Sequence, residues 1–335
     1  MNKFSLYKFD EDNIDSIISR EFRYFGIDKK LENSKLVIIK PNLVTDIDKY
    51  IQNGANTDVR IIESVIKYLS TFNCKVVIVE SETGTKIKGR KLNKALELMG
   101  VKKLKDKYNF DIINLTNDVQ VTVNFNGCIL KCVKMGKTSL DADLIINIPK
   151  LKTHKYSTIT CSLKNMFGLI PDPLRVIYHR NIHKILADLN NLFIDKTFVI
   201  LDAIKCMEGQ GPIYGTPVDM NLIGFCDDML VNDYIGAKIM GIDPFEVKHI
   251  KYFNEKYHNI ALDKISFRGK LKVEDVAIKF EPCKKNLFIR IEEQLMRNPP
   301  IVRFLLSDFI RKNVFYHMRK GLKKLRGGSY DWHVK

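Results

Sequence analysis

No apolar stretch among the 335 residues approaches the ~18 consecutive positions that a membrane-spanning helix needs, so the sequence argues against a helical integral membrane protein. Met1 to Asp10 carries no apolar h-region of a secretory signal, and a cytoplasmic location is the expectation. Internal repeats and low-complexity tracts are absent. So are clustered cysteines: Cys74, Cys128, Cys132, Cys161, Cys206, Cys226 and Cys283 are scattered and odd in number, with no C-x2-C-x2-C run of the ferredoxin kind. Most lie in apolar, strand-like runs, the pattern of reduced, packed thiols. Cys128 and Cys132 are the one close pair. With a tight turn at Asn126-Gly127 both would fall on one face of the following strand, where packing is favoured over metal ligation.

The residues that are present suit a globular chain long enough for two domains, or for one large α/β domain with additions: 45% are apolar and 28% charged. The net charge of +16 is unevenly placed. Between Ile301 and Lys335 nine Lys/Arg face only Asp308 and Asp331, which supplies +7 of that total. Much of the basicity thus belongs to the C-terminus. With no recognition motif or array of interleaved basic and aromatic residues, nucleic acid is not an expected partner.

Lys35-Leu-Val-Ile-Ile-Lys40 and Cys74-Lys-Val-Val-Ile-Val-Glu80 read as buried parallel strands. Between them Thr57-Asp58 offers an N-cap for a helix carrying Ile61, Ile62, Val65, Ile66 and Leu69. A second helix is predicted over about 91–99, a hairpin over 119–133, core strands over 143–148 and 197–202, and a helix over 181–193. Asp228 caps a helix that Gly241 ends. The alternation predicts an α/β fold: a mostly parallel sheet with flanking helices, two lobes around a cleft, and a basic helical tail. We expect a main α/β unit over 1–250, an accessory segment over 251–298 and the tail over 299–335.

Each predicted strand ends in polar residues: Lys40-Pro41-Asn42, Glu80-Ser81-Glu82, Asn147 to Lys152, and Asp202. In open α/β sheets, ligands bind outside the carboxyl ends of the strands. The densest ending is Lys150-Leu-Lys152-Thr-His154, followed by Ser162-Leu-Lys164-Asn165-Met-Phe-Gly168. Lysines placed there give up hydration that a helix surface would leave them, which points to an anionic partner. Glu208-Gly-Gln-Gly211-Pro212 could turn backbone amides toward an anion. Gly84 to Arg90 has P-loop spacing, but Arg90 and Lys91 stand where Lys and Ser/Thr are needed, so a solvated loop is expected. His179 and His183 are one helical turn apart, yet no carboxylate completes a zinc motif, and no metal ligand is assigned.

Several motifs carry a resemblance. Lys40-Pro41-Asn42, Asn56-Thr57-Asp58, Ala142-Asp143-Leu-Ile-Ile-Asn147, Pro149-Lys150-Leu-Lys152-Thr-His154, Ser162-Leu-Lys164-Asn165 and Glu208-Gly-Gln-Gly211-Pro212 resemble domain-of-unknown-function family 362 of bacteria and archaea. The resemblance spans roughly 35–248. Relatives that append a ferredoxin-like domain carry iron–sulfur clusters, and this chain lacks that cysteine run. A more distant similarity is to the nickel-pincer lactate racemase, in which a strand ends in Pro-His and a lysine ten residues later anchors the cofactor. His154 and Lys164 have that spacing, with Ser162-Leu163 where the racemase has glycines. This similarity implies a two-domain α/β architecture with a cleft and leaves the cofactor open.

The leading expectation is an enzyme, oxidoreductase-like or racemase-like by that analogy, acting on a small anionic substrate through redox or proton-transfer chemistry at carbon. His154, Lys164, Asp202 and Glu208 are the catalytic candidates, with His154 as acid/base and an acidic residue orienting it. Lys40, Asn42, Thr57, Asp58, Glu80, Lys150, Lys152, Asn165, Gly211 and His179 are the substrate-binding candidates. The rival expectation is a non-catalytic accessory protein docked on a membrane or an assembly through its basic tail. Eight Lys/Arg lie between Arg303 and Arg326, each worth about 1 kcal/mol beside an anionic leaflet, so a peripheral position at the inner membrane face is the alternative location.

Overall fold

The computed structural model describes residues 2–83, 91–262, 264–269, 271–284, 287–296 and 298–305. Its strands are β1 (Lys3–Lys8), β2 (Leu36–Pro41), β3 (Lys75–Glu80), β4 (Asp111–Asn114), β5 (Gln120–Asn124), β6 (Cys132–Gly136), β7 (Leu144–Ile148), β8 (Lys150–His154), β9 (Thr158–Thr160), β10 (Thr197–Glu208), β11 (Thr216–Cys226) and β12 (Ser266–Arg268). Ten of them form one sheet along the path β12-β1-β11-β10-β7-β2-β3-β4, with β8 on β10 and β9 on β8; β5 and β6 pair separately. From β10 through β4 every pairing is parallel.

The apolar runs of β2, β3 and β7 are buried because helices cover both faces of the sheet. Val37 and Ile39 face one core with Ile61, Val65 and Phe198, and Ile38 faces the other with Leu163, Leu186 and Ile235. The two expected lobes share this one sheet. Asp58 caps helix Val59–Leu69 through the Arg60 amide, and Asp228 caps helix Met229–Ile239 through the amides of Leu230 and Val231. Gly241 follows that second helix at φ 62°, the left-handed conformation that glycine adopts without strain.

The chain lays β2, β3 and β4 outward, then returns to place β7 on the other side of β2. The order therefore reverses between β2 and β7. Their carboxyl ends, where Lys40 pairs in register with Asn147 and Pro41 with Ile148, thus lie at the topological switch point, where open α/β sheets generally bind ligands.

Three local expectations change. Lys150–His154 is a strand, not a strand-end loop: Pro149 takes the chain out of β7, its carbonyl accepts from the Asp202 amide at 2.9 Å, and β8 re-enters the sheet beside β10. β10 accordingly runs past Asp202 to Glu208. The β5–β6 hairpin does not turn tightly at Asn126-Gly127. Its loop closes with Phe125 N–H donating to the Lys131 carbonyl, and it wraps the Asp188 carboxylate with the amides of Cys128, Ile129 and Leu130. Cys128 and Cys132 therefore do not share a strand face. Both are exposed, and only Cys161, Cys206 and Cys226 are buried among the free thiols.

The 251–298 segment joins the same sheet through β12, which pairs parallel to β1, and buries Phe280 in the core. Helix Pro299–Leu305 starts the predicted tail; the rest of it, 306–335, and the expected loop at 84–90 lie outside the described residues.

Candidate functional site

Because strand side chains alternate, Lys150, Lys152 and His154 share one face of β8, and Leu151 and Thr153 take the other. All five are buried. The three polar residues are treated very differently by their neighbours. Lys150 Nζ donates to both Asp202 carboxylate oxygens at 2.8 and 2.9 Å, while Asp202 also accepts from the amides of Asp58 and Ile204. Burial pushes the Asp202 carboxyl up against the opposing pull of the Lys150 ammonium. Lys152 Nζ donates to the Ala55 carbonyl at 2.7 Å, and no carboxylate pairs with it among the described residues. Burial, then the charges of Lys150 and Lys164, hold its pKa well below the ordinary lysine range.

Lys40 at the end of β2 donates to Glu80 at the end of β3 over 2.6 Å, and both are buried. Arg175, also buried, lies 3.7 Å from the other Glu80 oxygen and donates to the Glu82 carbonyl at 2.7 Å. Gly168 packs directly on this ion pair: a Cβ there would stand 2.5 Å from Glu80 Oε1 and 2.8 Å from Lys40 Cε. Asn165 ties the switch point together. Its Nδ2 donates to the Lys40 carbonyl at 3.0 Å and to Asn147 Oδ1 at 2.7 Å, and its Oδ1 accepts from Asn42 Nδ2 at 2.9 Å. Asn42 Oδ1 is buried and makes no hydrogen bond among the described residues.

Beside this network lie His154, His179, Lys164, Phe167 and Tyr156. The His154 and His179 rings stack with centroids 6.0 Å apart and planes 6° from parallel. His154 Nδ1 accepts from the amides of Tyr156 and Ser157 at 3.1 and 3.2 Å, so in the neutral ring the proton is on Nε2. His179 Nδ1 lies 3.1 Å from the Val176 carbonyl, which assigns its proton to Nδ1 and leaves a lone pair on Nε2. Burial and the Lys164 charge hold both pKa values well below the usual histidine range. The pair is thus two neutral imidazoles of opposite tautomer, one presenting a donor and the other an acceptor. Lys164 Nζ lies 4.3 Å from the centre of the Phe167 ring and makes no hydrogen bond or ion pair among the described residues. Desolvation, together with Arg175 and Lys40, lowers its pKa to about 7.

Several expected roles are corrected. Asp202 is committed to Lys150 and does not orient His154, whose Nδ1 is satisfied by backbone amides. Glu208 accepts from the Glu281 amide, and the Gly211 amide donates to the Gly209 carbonyl. Gly211 is instead a close-approach residue, since a Cβ there would stand 2.0 Å from the Thr153 carbonyl oxygen. Thr57 bridges the two strand ends, accepting from the Asn42 amide and donating to the Ile148 carbonyl. Burial would raise the Asp58 carboxyl, but its bonds from Arg60 hold it low, and it serves as a cap. Lys40 is ion-paired with Glu80, and Lys150 with Asp202, within the protein. His183 does not join His179; it stacks on buried His249 at 5.7 Å, near Asp233. No group of three or more His, Cys, Asp and Glu side chains suited to a metal ion occurs among the described residues. Arg175 was not anticipated. Its signal was an arginine in a proline-flanked loop, which sequence alone does not direct toward Glu80.

The family model described as "Domain of unknown function (DUF362)" matches residues 37–238. The chain belongs to this family. The matched span runs from β2 to the end of helix Met229–Ile239 and takes in every residue of the site. A curated relative, thylakoid-associated protein sll1697 of Synechocystis sp., is 30% identical over 118 residues, which cover 33% of this chain and 37% of that protein. The chain thus matches little more than a third of that relative's length. Among solved structures, the lactate racemase apoprotein of Thermoanaerobacterium thermosaccharolyticum is 12% identical with a TM-score of 0.39, covering 72% of this chain and 58% of that one. A Thermotoga maritima protein is 12% identical with a TM-score of 0.40, covering 74% and 59%.

Proposed function

We propose that the protein is an enzyme that binds a small anionic substrate at Lys164 and moves a proton to or from it with the His154–His179 pair. The observation that carries this reading is the opposed tautomers of two stacked, neutral imidazoles beside a lysine without an acidic partner of its own. One ring can donate from Nε2 while the other accepts at Nε2, the requirement for paired acid and base work. Lys164 supplies charge complementarity, and the Lys40–Glu80–Arg175 cluster holds the strand ends that frame it. Substrates of this class are carboxylates or phosphate esters with an exchangeable C–H.

The test is a thermal-shift screen of small carboxylates and phosphate esters, followed by NMR detection of deuterium entering C–H positions from D2O. Wild type should exchange the bound ligand, His154→Gln and His179→Gln should bind but not exchange, and Lys164→Met should lose affinity. Exchange undiminished in both histidine variants would sink the catalytic reading and leave a binding protein.

A second reading concerns where the protein works. The Synechocystis relative is described as thylakoid-associated, and the C-terminus here is strongly basic. Both support a peripheral position on an anionic membrane surface. No helix among the described residues is long and apolar enough to cross a membrane.

A further inference from the structure

We infer that helices Leu287–Met296 and Pro299–Leu305 together form a docking face for an anionic lipid bilayer. This rests on the peripheral-membrane reading above and assigns it to particular residues. Leu287, Ile291 and Leu295 recur every fourth position and so line one side of the first helix. They are 74%, 49% and 40% exposed, while Ile289 and Met296 are buried. The second helix adds Ile301 and Phe304 at 44% and 60% exposure, with Val302 buried. Single exposed apolar residues are ordinary, but large ones recurring along one side of a helix and continuing into the next mark an interaction surface. Arg290 is exposed next to Ile291, which places a cation at the edge of the stripe.

The occupant follows from charge. Residues 306–335, which continue directly from the second helix, contain eight Lys/Arg and two Asp. A second copy of the chain would bring two such segments together on molecules that each carry +16. An anionic leaflet takes both features at once, apolar side chains at the acyl boundary and cations among the headgroups. Both helices pack against the turn Arg175–Asn181, which carries His179. Docking there sets the candidate site close to the bilayer.

The test is co-sedimentation of the full chain with vesicles of phosphatidylcholine alone, or with about one third phosphatidylglycerol, at rising salt. The expected result is salt-sensitive binding to the anionic vesicles. It should fall roughly tenfold or more in the triple variant Leu287→Asp, Ile291→Asp, Leu295→Asp. Should that variant fail to fold, Ile291→Trp, corrected for Trp332, reports insertion directly by a blue shift and by quenching with brominated lipid. If wild type binds while the triple variant binds equally well, or the Ile291→Trp signal ignores lipid, the face is overturned and the membrane reading stands. Failure of wild type to bind anionic vesicles at low salt overturns both. A tryptophan at 291 already blue-shifted without lipid would overturn the face in favour of cover by the chain's own tail.

Discussion

At Lys164 the ammonium form is opposed by desolvation and by the charges of Arg175 and Lys40, which Glu80 offsets only in part, and its pKa falls to about 7. Between there and the ordinary lysine value near ~10.4 the unfolded chain binds more protons at this position than the folded one, so the site's contribution to stability rises with pH across that window. Lys164→Met should therefore raise the melting temperature at neutral pH while abolishing anion binding. Only the ammonium pairs with an anion, so affinity should fall about tenfold per pH unit above pH 7 and level off below it, with a proton taken up on binding. Calorimetry in two buffers of different ionisation enthalpy measures that proton; equal heats, or a flat affinity profile, would remove Lys164 as the anion's partner. Asn165 is the other decisive residue. Asn165→Ala strands the Asn42 amide and Asn147 Oδ1 in the interior, a loss of about 2–4 kcal/mol readable by urea denaturation. Unchanged stability would mean that water replaces its bonds.

At the scale of elements, the ends of β2 and β3 are joined by the Lys40–Glu80 pair, and the 3₁₀ turn Met166–Leu169 presses Gly168 onto it. Gly168→Ala should cost about 1–3 kcal/mol, because the added methyl has only a buried ion pair to displace. Glu80→Leu alone should cost about 3–5 kcal/mol by leaving the Lys40 charge buried without its partner, whereas Lys40→Met with Glu80→Leu should recover most of that loss. Chemical denaturation of the two single variants and the double gives the coupling. Additive losses would show that the pair contributes packing and not charge compensation.

At the scale of the molecule, β1 lies one strand in from the sheet edge, paired on one side with β11 and on the other with the edge strand β12, from beyond residue 250. The same late segment bonds Ile278 and Phe280 to the carbonyls of Ile239 and Met240 at the end of a core helix. Truncation after residue 250 should thus uncover β1 and a face of the core, giving a chain that aggregates or loses cooperative unfolding. A truncated protein that melts cooperatively near the full-length temperature would establish 1–250 as an autonomous unit.

Local patterning alone determined a good deal. Apolar runs rich in β-branched residues mark β2, β3 and β7, and Asp58 and Asp228 mark where two helices begin, because strand preference and capping act between neighbours in the chain. The concentration of Lys, His and Asn at 150–165 was legible too, since lysines are otherwise kept in water. Tertiary structure decided which of these groups remain available. Lys40 and Glu80 are 40 positions apart, and Lys150 and Asp202 52 apart, so their pairing depends on strand order. The same is true of His179, which leaves the helical neighbour His183 for His154, and of Arg175, which reaches Glu80 from an irregular loop. Charges cancel only where folding brings them within a few ångströms. Hence Lys164 and the His154–His179 pair stand apart from the ion-paired lysines only once the sheet has brought Glu80 to Lys40 and Asp202 to Lys150.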